Sequence, residues 1–213
     1  LDAATGARTT QVVLDGGDPG RATTALCFYV PEAPPVLSEC MPMLEHLGLR
    51  ALAEDQVTVA PAGGPPVCIQ TFFVQDRAGQ PLDVATVAPR LTEALLALRA
   101  GRVESDPLNH LVLEAGLSWQ EVDCLRAYCG YAAQLGLAAR PVVLATVAAH
   151  PESARLLFAS FAARFRPAGA GEGPEAVRQR FVASLDGVQD LREDLLLRAL
   201  ADLVEATVRT NAF

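Results

Sequence analysis

Apolar side chains recur at every second residue in two stretches of the first third of the chain; from about residue 103 onward they recur at every third or fourth. That change of period limits the fold most, because alternate residues share one face of a strand whereas positions three and four apart share one face of a helix. In "RATTALCFYV" (21–30), Leu26, Phe28 and Val30 alternate with Ala25, Cys27 and Tyr29. "VCIQTFFVQD" (67–76) is the strongest strand signal in the chain, and "LRALAEDQVTVA" (49–60) is a strand candidate interrupted by charge. "QVVLD" and the turn "GGDPG" offer the first strand a hairpin partner.

Two helices fall between these strands. Leu37, Cys40, Met41, Leu44 and Leu47 line one helical face, with Ser38 as the expected cap and Gly48 as the stop. Val84, Val87, Leu91, Leu95 and Leu98 mark a longer amphipathic helix. The order strand, helix, strand, strand, helix is most of a βαββαβ unit, an antiparallel sheet with both helices on one face. The last strand should follow residue 102, but "RVESDPLNHLVLEAG" begins a helical turn there, with Asp106 as cap and Pro107 in the first turn. Upstream chain, a neighbouring subunit or the "QVVLD" hairpin could supply the missing strand.

Everything after that reads as helix. "SWQE" (118–121) is a capping box opening a helix to about Leu135, with Val122, Leu125, Cys129 and Ala132 inward. "HPESARLLFASFAARF" starts at His150, "EAVRQRFVASLDGV" follows the break "PAGAGEGP" (167–174), and "DLREDLLLRALADLVEATV" is capped by Asp190 and Glu193. In that last helix Leu196, Leu200, Leu203, Val204, Thr207 and Val208 share the buried face. The predicted organisation is α+β: a module over 1–102, then an all-helical domain over 103–213.

Composition removes whole classes of chemistry. The net charge is −8, and all 17 basic residues are arginine. An acidic chain without a basic cluster is a poor ligand for phosphate backbones, so nucleic acid is not an expected partner. The lack of lysine excludes Schiff-base catalysis and the P-loop signature, and fits coding bias in a G+C-rich genome. No apolar run approaches the roughly 20 residues of a membrane span, and no signal sequence opens the chain, so no membrane partner and a cytoplasmic location are expected.

Isolated residues invite functional readings that their surroundings do not support. Cys27, Cys40, Cys68, Cys124 and Cys129 form no CxxC pair, and free thiols are the expectation. His46, His110 and His150 stand apart, without a HExxH-like ligand face; His150 reads as a cap and His46 as solvated. "GAGEGP" follows a helix and has Pro174 where a third glycine would stand, so it is a linker and not a dinucleotide loop. Arg192, Asp194, Arg198, Asp202 and Glu205 form a solvated charged face. Trp119 in the capping box is expected to anchor a helix start to the core. No catalytic constellation and no metal or cofactor site is expected in the chain itself.

Four stretches together point further. "LSECMPMLEHLGLRALAED" (37–55), "DPLNHLVLEAGLSWQEVDCLRAYCGYAAQLGL" (106–137), "HPESARLLFASFAARFRP" (150–167) and "LLRALADLVEATVRTNAF" (196–213) resemble the large NAD-specific glutamate dehydrogenases of bacteria. The second and fourth carry most of the specificity, and the resemblance runs from about residue 21 to the end. It implies an ACT-like antiparallel sheet with two helices, then a helical bundle leading into a catalytic domain outside this sequence. The abrupt start at Leu1 and end at Phe213 fit a piece of a longer protein.

The parent reaction implied is L-glutamate, NAD⁺ and water going to 2-oxoglutarate, ammonium and NADH, with NAD held by the catalytic domain. This segment is expected to be non-catalytic, with the catalytic domain of the same chain and further copies in a homo-oligomer as partners. Arg209 and Asn211 are candidate contacts to that domain. The alternative is a free-standing ACT-type module that senses an amino acid, with the loop at Glu32 and Ser38 as its effector site. Against it, "PEAPPVLS" holds Pro34 and Pro35 and no glycine, which removes backbone donors that would grip a carboxylate.

Overall fold

Every second residue of the strand Val67–Gln75 is buried, and its alternates are half-exposed. That is the pattern of a strand packed on one face. In the computed structural model, which describes residues 11–16, 22–31, 36–60, 66–166 and 173–210, this strand is β4. It joins β1 (Gln11–Asp15), β2 (Thr24–Val30) and β3 (Arg50–Val59) in an antiparallel sheet of order β1-β2-β4-β3.

Register puts Val12 opposite Phe28 and Leu26 opposite Phe72, and Phe28 meets Phe72 edge-on, so an apolar strip crosses three strands beside the buried Gln70. Two helices serve the face that carries it. In α1 (Leu37–His46) Cys40, Met43 and Leu44 are buried; in α2 (Val84–Arg99) Leu91, Ala94, Leu95 and Ala97 are. α1 packs against β3, and α2 against β1.

The sheet order settles which strand fills the edge. A complete βαββαβ unit places its last strand beside its first. Here β1, which precedes the unit in sequence, pairs antiparallel with β2 in that position. The opposite edge, β3, is exposed along nearly its whole length, and Glu54 and Asp55 stand on it. Charge on an edge strand opposes pairing with other chains.

The first helix departs from expectation at its start. Its N-cap is Val36, which offers no side-chain oxygen, and Ser38 lies inside the first turn with its side chain exposed. Leu37 is also exposed, Met41 is half-buried, and Met43 takes the buried place. Gly48, with φ of 79°, ends the helix as expected, since a left-handed residue after the last turn favours glycine.

The chain divides into two compact units, Leu1–Asn109 and His110–Phe213. A short 3-10 turn (Pro107–His110) begins with Asp106, whose Oδ1 accepts from the Leu108 amide at 3.0 Å. The second unit holds α3 (Leu111–Glu114), α4 (Trp119–Gln134), α5 (Arg140–Ala149), α6 (Pro151–Phe165), α7 (Pro174–Ser184) and α8 (Leu191–Ala206). The capping box forms as the sequence implies: the Glu121 amide donates to Ser118 Oγ, and the Ser118 amide donates to the Glu121 carboxylate. Asp190 caps α8 through Arg192 and Glu193 amides, while the Glu193 carboxylate turns to His150 instead.

Phe161 lies at the centre of this unit, against Tyr128, Phe158 and Phe165 with ring centroids 5.1–6.0 Å apart. Leu196, Leu197, Leu200 and Val204 are buried from α8, which ends at Ala206. Val208, expected on the buried face, lies beyond the helix and is 85% exposed. The break at 167–172 lies outside the described residues.

If β1 protects the sheet edge, a chain lacking residues 1–16 will expose β2 and self-associate more than the 213-residue chain. Light scattering after size-exclusion chromatography reads this directly; equal masses for both chains would remove the edge-filling role.

Candidate functional site

α4 has two working faces. Val122, Leu125, Cys129 and Ala132 enter the core, and a second set, Trp119, Asp123, Cys124, Tyr128 and Tyr131, lies along another side of the helix. With Phe161 of α6 and Thr207, Arg209 and Thr210 after α8, this set lines a cleft of about 590 Å³. That volume lies in the range of small-molecule and side-chain pockets.

The polar groups at its base are already matched. Tyr128 Oη and Thr207 Oγ1 are 2.7 Å apart, Thr207 Oγ1 donates to the Leu203 carbonyl at 2.9 Å, and Arg164 donates to the Thr207 carbonyl at 3.1 Å. These contacts fix the segment leaving α8 against α4 and α6. Asp123, at the rim, holds Arg126 at 2.6 Å.

Cys124 and Tyr128 are not set up for catalysis. Burial pushes the Cys124 thiol up to about 11, helped by the neighbouring Asp123 and Glu121 carboxylates, so it stays protonated at neutral pH and is a poor nucleophile. Burial also raises the Tyr128 phenol, against a smaller opposing effect of its bond to Thr207. What the cleft offers is aromatic surface with an arginine at the rim, a composition common at the energetic centres of protein interfaces.

The predicted site residues fall in different places. Arg209 is exposed and lines this cleft, whereas Asn211 lies outside the described residues. Glu32 also lies outside them, and Ser38 is an exposed helical residue of α1. Trp119, at the start of α4, is partly buried and lines the cleft wall. The cleft itself was not foreseen; its one sequence signal is the pair Tyr128 and Tyr131, aromatic residues off the apolar stripe of their helix.

Each histidine has a structural partner. His110 is buried, and its Nε2–H donates to the Ala148 carbonyl at 2.8 Å, satisfying an acceptor in the last turn of α5. It also has a carboxylate one turn on, Glu114, at 3.7 Å, a pairing that the sequence reading overlooked. His150 Nε2–H donates to Glu193 at 2.9 Å, joining the start of α6 to the start of α8. His46 is not merely solvated: its Nδ1 is 2.9 Å from Ser105 Oγ. That serine–histidine pair is exposed, and among the described residues no acid orients the other ring nitrogen, as a nucleophilic triad requires. Among the described residues no group of three or more His, Cys, Asp or Glu side chains could hold a metal ion, and no helix is long and apolar enough to cross a membrane. The cysteines are all free.

Comparison with known proteins gives these units a lineage. Residues 15–87 match the family model described as glutamate dehydrogenase, ACT3 domain, and residues 103–167 match glutamate dehydrogenase, helical motif 3. The chain is 37% identical over 187 residues to an NAD-specific glutamate dehydrogenase of Mycobacterium tuberculosis, a match covering 83% of this chain and 12% of that protein. It is 35% identical over 184 residues to the protein of the same description from Halomonas elongata (85% and 11%) and 34% identical over 193 residues to that of Pseudomonas aeruginosa (87% and 12%). The chain thus spans only 11–12% of the length of these relatives.

Two changes test the cleft. Tyr128→Phe leaves the aromatic packing and deletes the bond to Thr207, and should lower stability by about 1 kcal/mol in urea unfolding; no change would mean the bond is not made in solution. The second concerns Cys124, whose folded-state value is raised from 9.0 to about 11. The native state holds that proton more tightly, so its contribution is intact below pH 9.0 and lost as pH climbs towards about 11. Cys124→Ser should shrink the fall in stability across that window and leave neutral-pH behaviour nearly unchanged. An identical alkaline fall in both proteins would contradict the assignment.

Proposed function

We propose that this chain, which belongs to the large NAD-specific glutamate dehydrogenases, is a non-catalytic segment that shapes the assembly and regulation of such an enzyme. The whole protein would oxidise L-glutamate with NAD⁺ and water to 2-oxoglutarate, ammonium and NADH. Binding of NAD and the chemical step would fall to a catalytic domain of the same polypeptide. Residues 1–102 would serve as the ACT-like module, and 103–213 as the helical domain leading into the catalytic domain. The working enzyme would be a cytoplasmic homo-oligomer.

One observation carries most of this reading: the two matched regions occur side by side and in order, an ACT3 domain and then helical motif 3. The site geometry agrees with it. The cleft of the helical unit is built from protonated, hydrogen-bonded and aromatic groups, which suit it to hold a protein surface and not to transfer protons. Arg209 and Thr210 line it on the segment leaving α8, so the proposed occupant is the catalytic domain that this segment would lead into. An arginine at such a rim gives orientation through directed donors more than bulk affinity.

In the full-length protein, L-glutamate and NAD⁺ should yield NADH, followed by its absorbance, while the 213-residue segment alone should yield none. Arg209→Ala combined with Asn211→Ala should lower the activity of the full-length enzyme or loosen its assembly. Unchanged kinetics together with an unchanged oligomer mass would remove the docking role, and glutamate-independent behaviour of the whole protein would remove the family reaction.

A further inference from the structure

The first unit contains a cavity of about 690 Å³ between β1 and α2. Thr92, Leu96 and Arg99 line it from successive turns of α2, and Gln11, Val12 and Val13 line it from β1, with Val12 on the face that α2 covers. Arg99 is the only charged side chain among these lining residues.

Its guanidinium is incompletely satisfied. The group lies 5.6 Å from the centroid of the buried Phe28 ring, an attraction that covers one face of the plane. The N–H donors point within the plane, and Nη1 is enclosed with no hydrogen-bond partner among the described residues. Nor does a carboxylate pair with Arg99 there. The charge is felt nearby: burial raises the Cys40 thiol, and Arg99 is the largest influence opposing that rise. A buried cationic N–H without an acceptor is disfavoured, and an anion supplied from outside would relieve it.

We propose that this cavity binds a small organic monocarboxylate with an apolar body. The carboxylate pairs with Arg99, the Thr92 hydroxyl flanks it, and the apolar part rests on Val12 and Leu96. Among the described residues no acidic side chain lines the cavity, so the ammonium of an amino acid would find no counter-charge there. A keto acid therefore fits better than the matching amino acid. Because β1 forms one wall, an occupied cavity favours the paired edge of the sheet, and ligand stabilises the unit by mass action. The site lies away from the loop at Glu32 and Ser38, and the inference does not depend on the enzyme reaction proposed above.

Isothermal titration of the 213-residue chain with α-ketoisocaproate tests it, with L-leucine, uncharged methyl isobutyl ketone and sodium sulfate as parallel titrants. Saturable one-to-one binding of the keto acid is expected, with weaker binding of L-leucine and none of the ketone. Arg99→Gln should weaken it about tenfold or more, the loss of one charge-assisted hydrogen bond. Leu96→Asp, a change at a half-buried position of α2 that lines the cavity, should do the same without touching Arg99, which keeps the test valid should Arg99→Gln fail to fold. Absence of binding to the unaltered chain, full affinity in a folded Arg99→Gln or Leu96→Asp protein, or equal binding of sulfate would each overturn the proposal.

Discussion

The Phe28 ring is where the elements of the first unit meet. It is fully buried, meets Phe72 of β4 edge-on at 5.9 Å, stands opposite Val12 of β1 and Gln70 of β4, and carries the Arg99 guanidinium of α2 on its face. Truncating a buried phenylalanine to alanine costs about 3–5 kcal/mol where the surroundings cannot collapse. Here the surroundings are three strands and a helix, each held partly by that ring. The incoming β1 is therefore more than an edge cover. It supplies Val12 to the strip that Phe28 anchors, and its backbone occupies the hydrogen-bonding side of β2 that a later strand would otherwise take.

The period-two strands were legible because β2 and β4 are asymmetric, with one face buried and one half-exposed. Alternation writes that asymmetry into the sequence. The sheet order was not legible, because pairing is a relation between distant segments, and "QVVLD" has the same local signal whichever edge it joins. The helix start at Val36 shows a different failure. A capping serine contributes about 1 kcal/mol, less than the burial of Cys40, Met43 and Leu44, so packing chose the phase of the helix and Ser38 fell inside it. For α4 the capping box and the core face agreed, and sequence and structure coincide. The cleft escaped notice because its walls come from α4, α6 and the chain after α8, segments that no local pattern connects.

In the helical unit, polar contacts position what apolar packing stabilises. The ion pairs Arg198–Asp194 and Arg178–Glu205 sit on exposed surface, where such pairs contribute little. The half-buried contacts matter differently. His150 with Glu193 and Tyr128 with Thr207 each join helices distant in sequence around the Phe161 cluster. A hydrogen bond at such a junction selects one arrangement among several that would bury similar apolar area. The buried His110 does the same at the end of α5, and for that reason a histidine without a ligand set still occupies the interior.

The two cavities differ in the state of their polar groups, and that difference separates their roles. In the α4 cleft the hydroxyls of Tyr128 and Thr207 satisfy one another, and Asp123 is held by Arg126. A visitor there gains mainly by shape and apolar contact, which suits a protein surface whose position is already restricted by a covalent link. In the β1–α2 cavity Arg99 has an enclosed donor without an acceptor, so the gain depends on one chemical group on the visitor. Unsatisfied buried polar groups discriminate strongly because the wrong ligand leaves them unpaired. The first geometry favours constant association, and the second favours response to a changing concentration of a small molecule. On the two readings proposed above, the segment would act on the parent enzyme in two ways, by where it holds a neighbouring domain and by which small carboxylate fills its sheet edge.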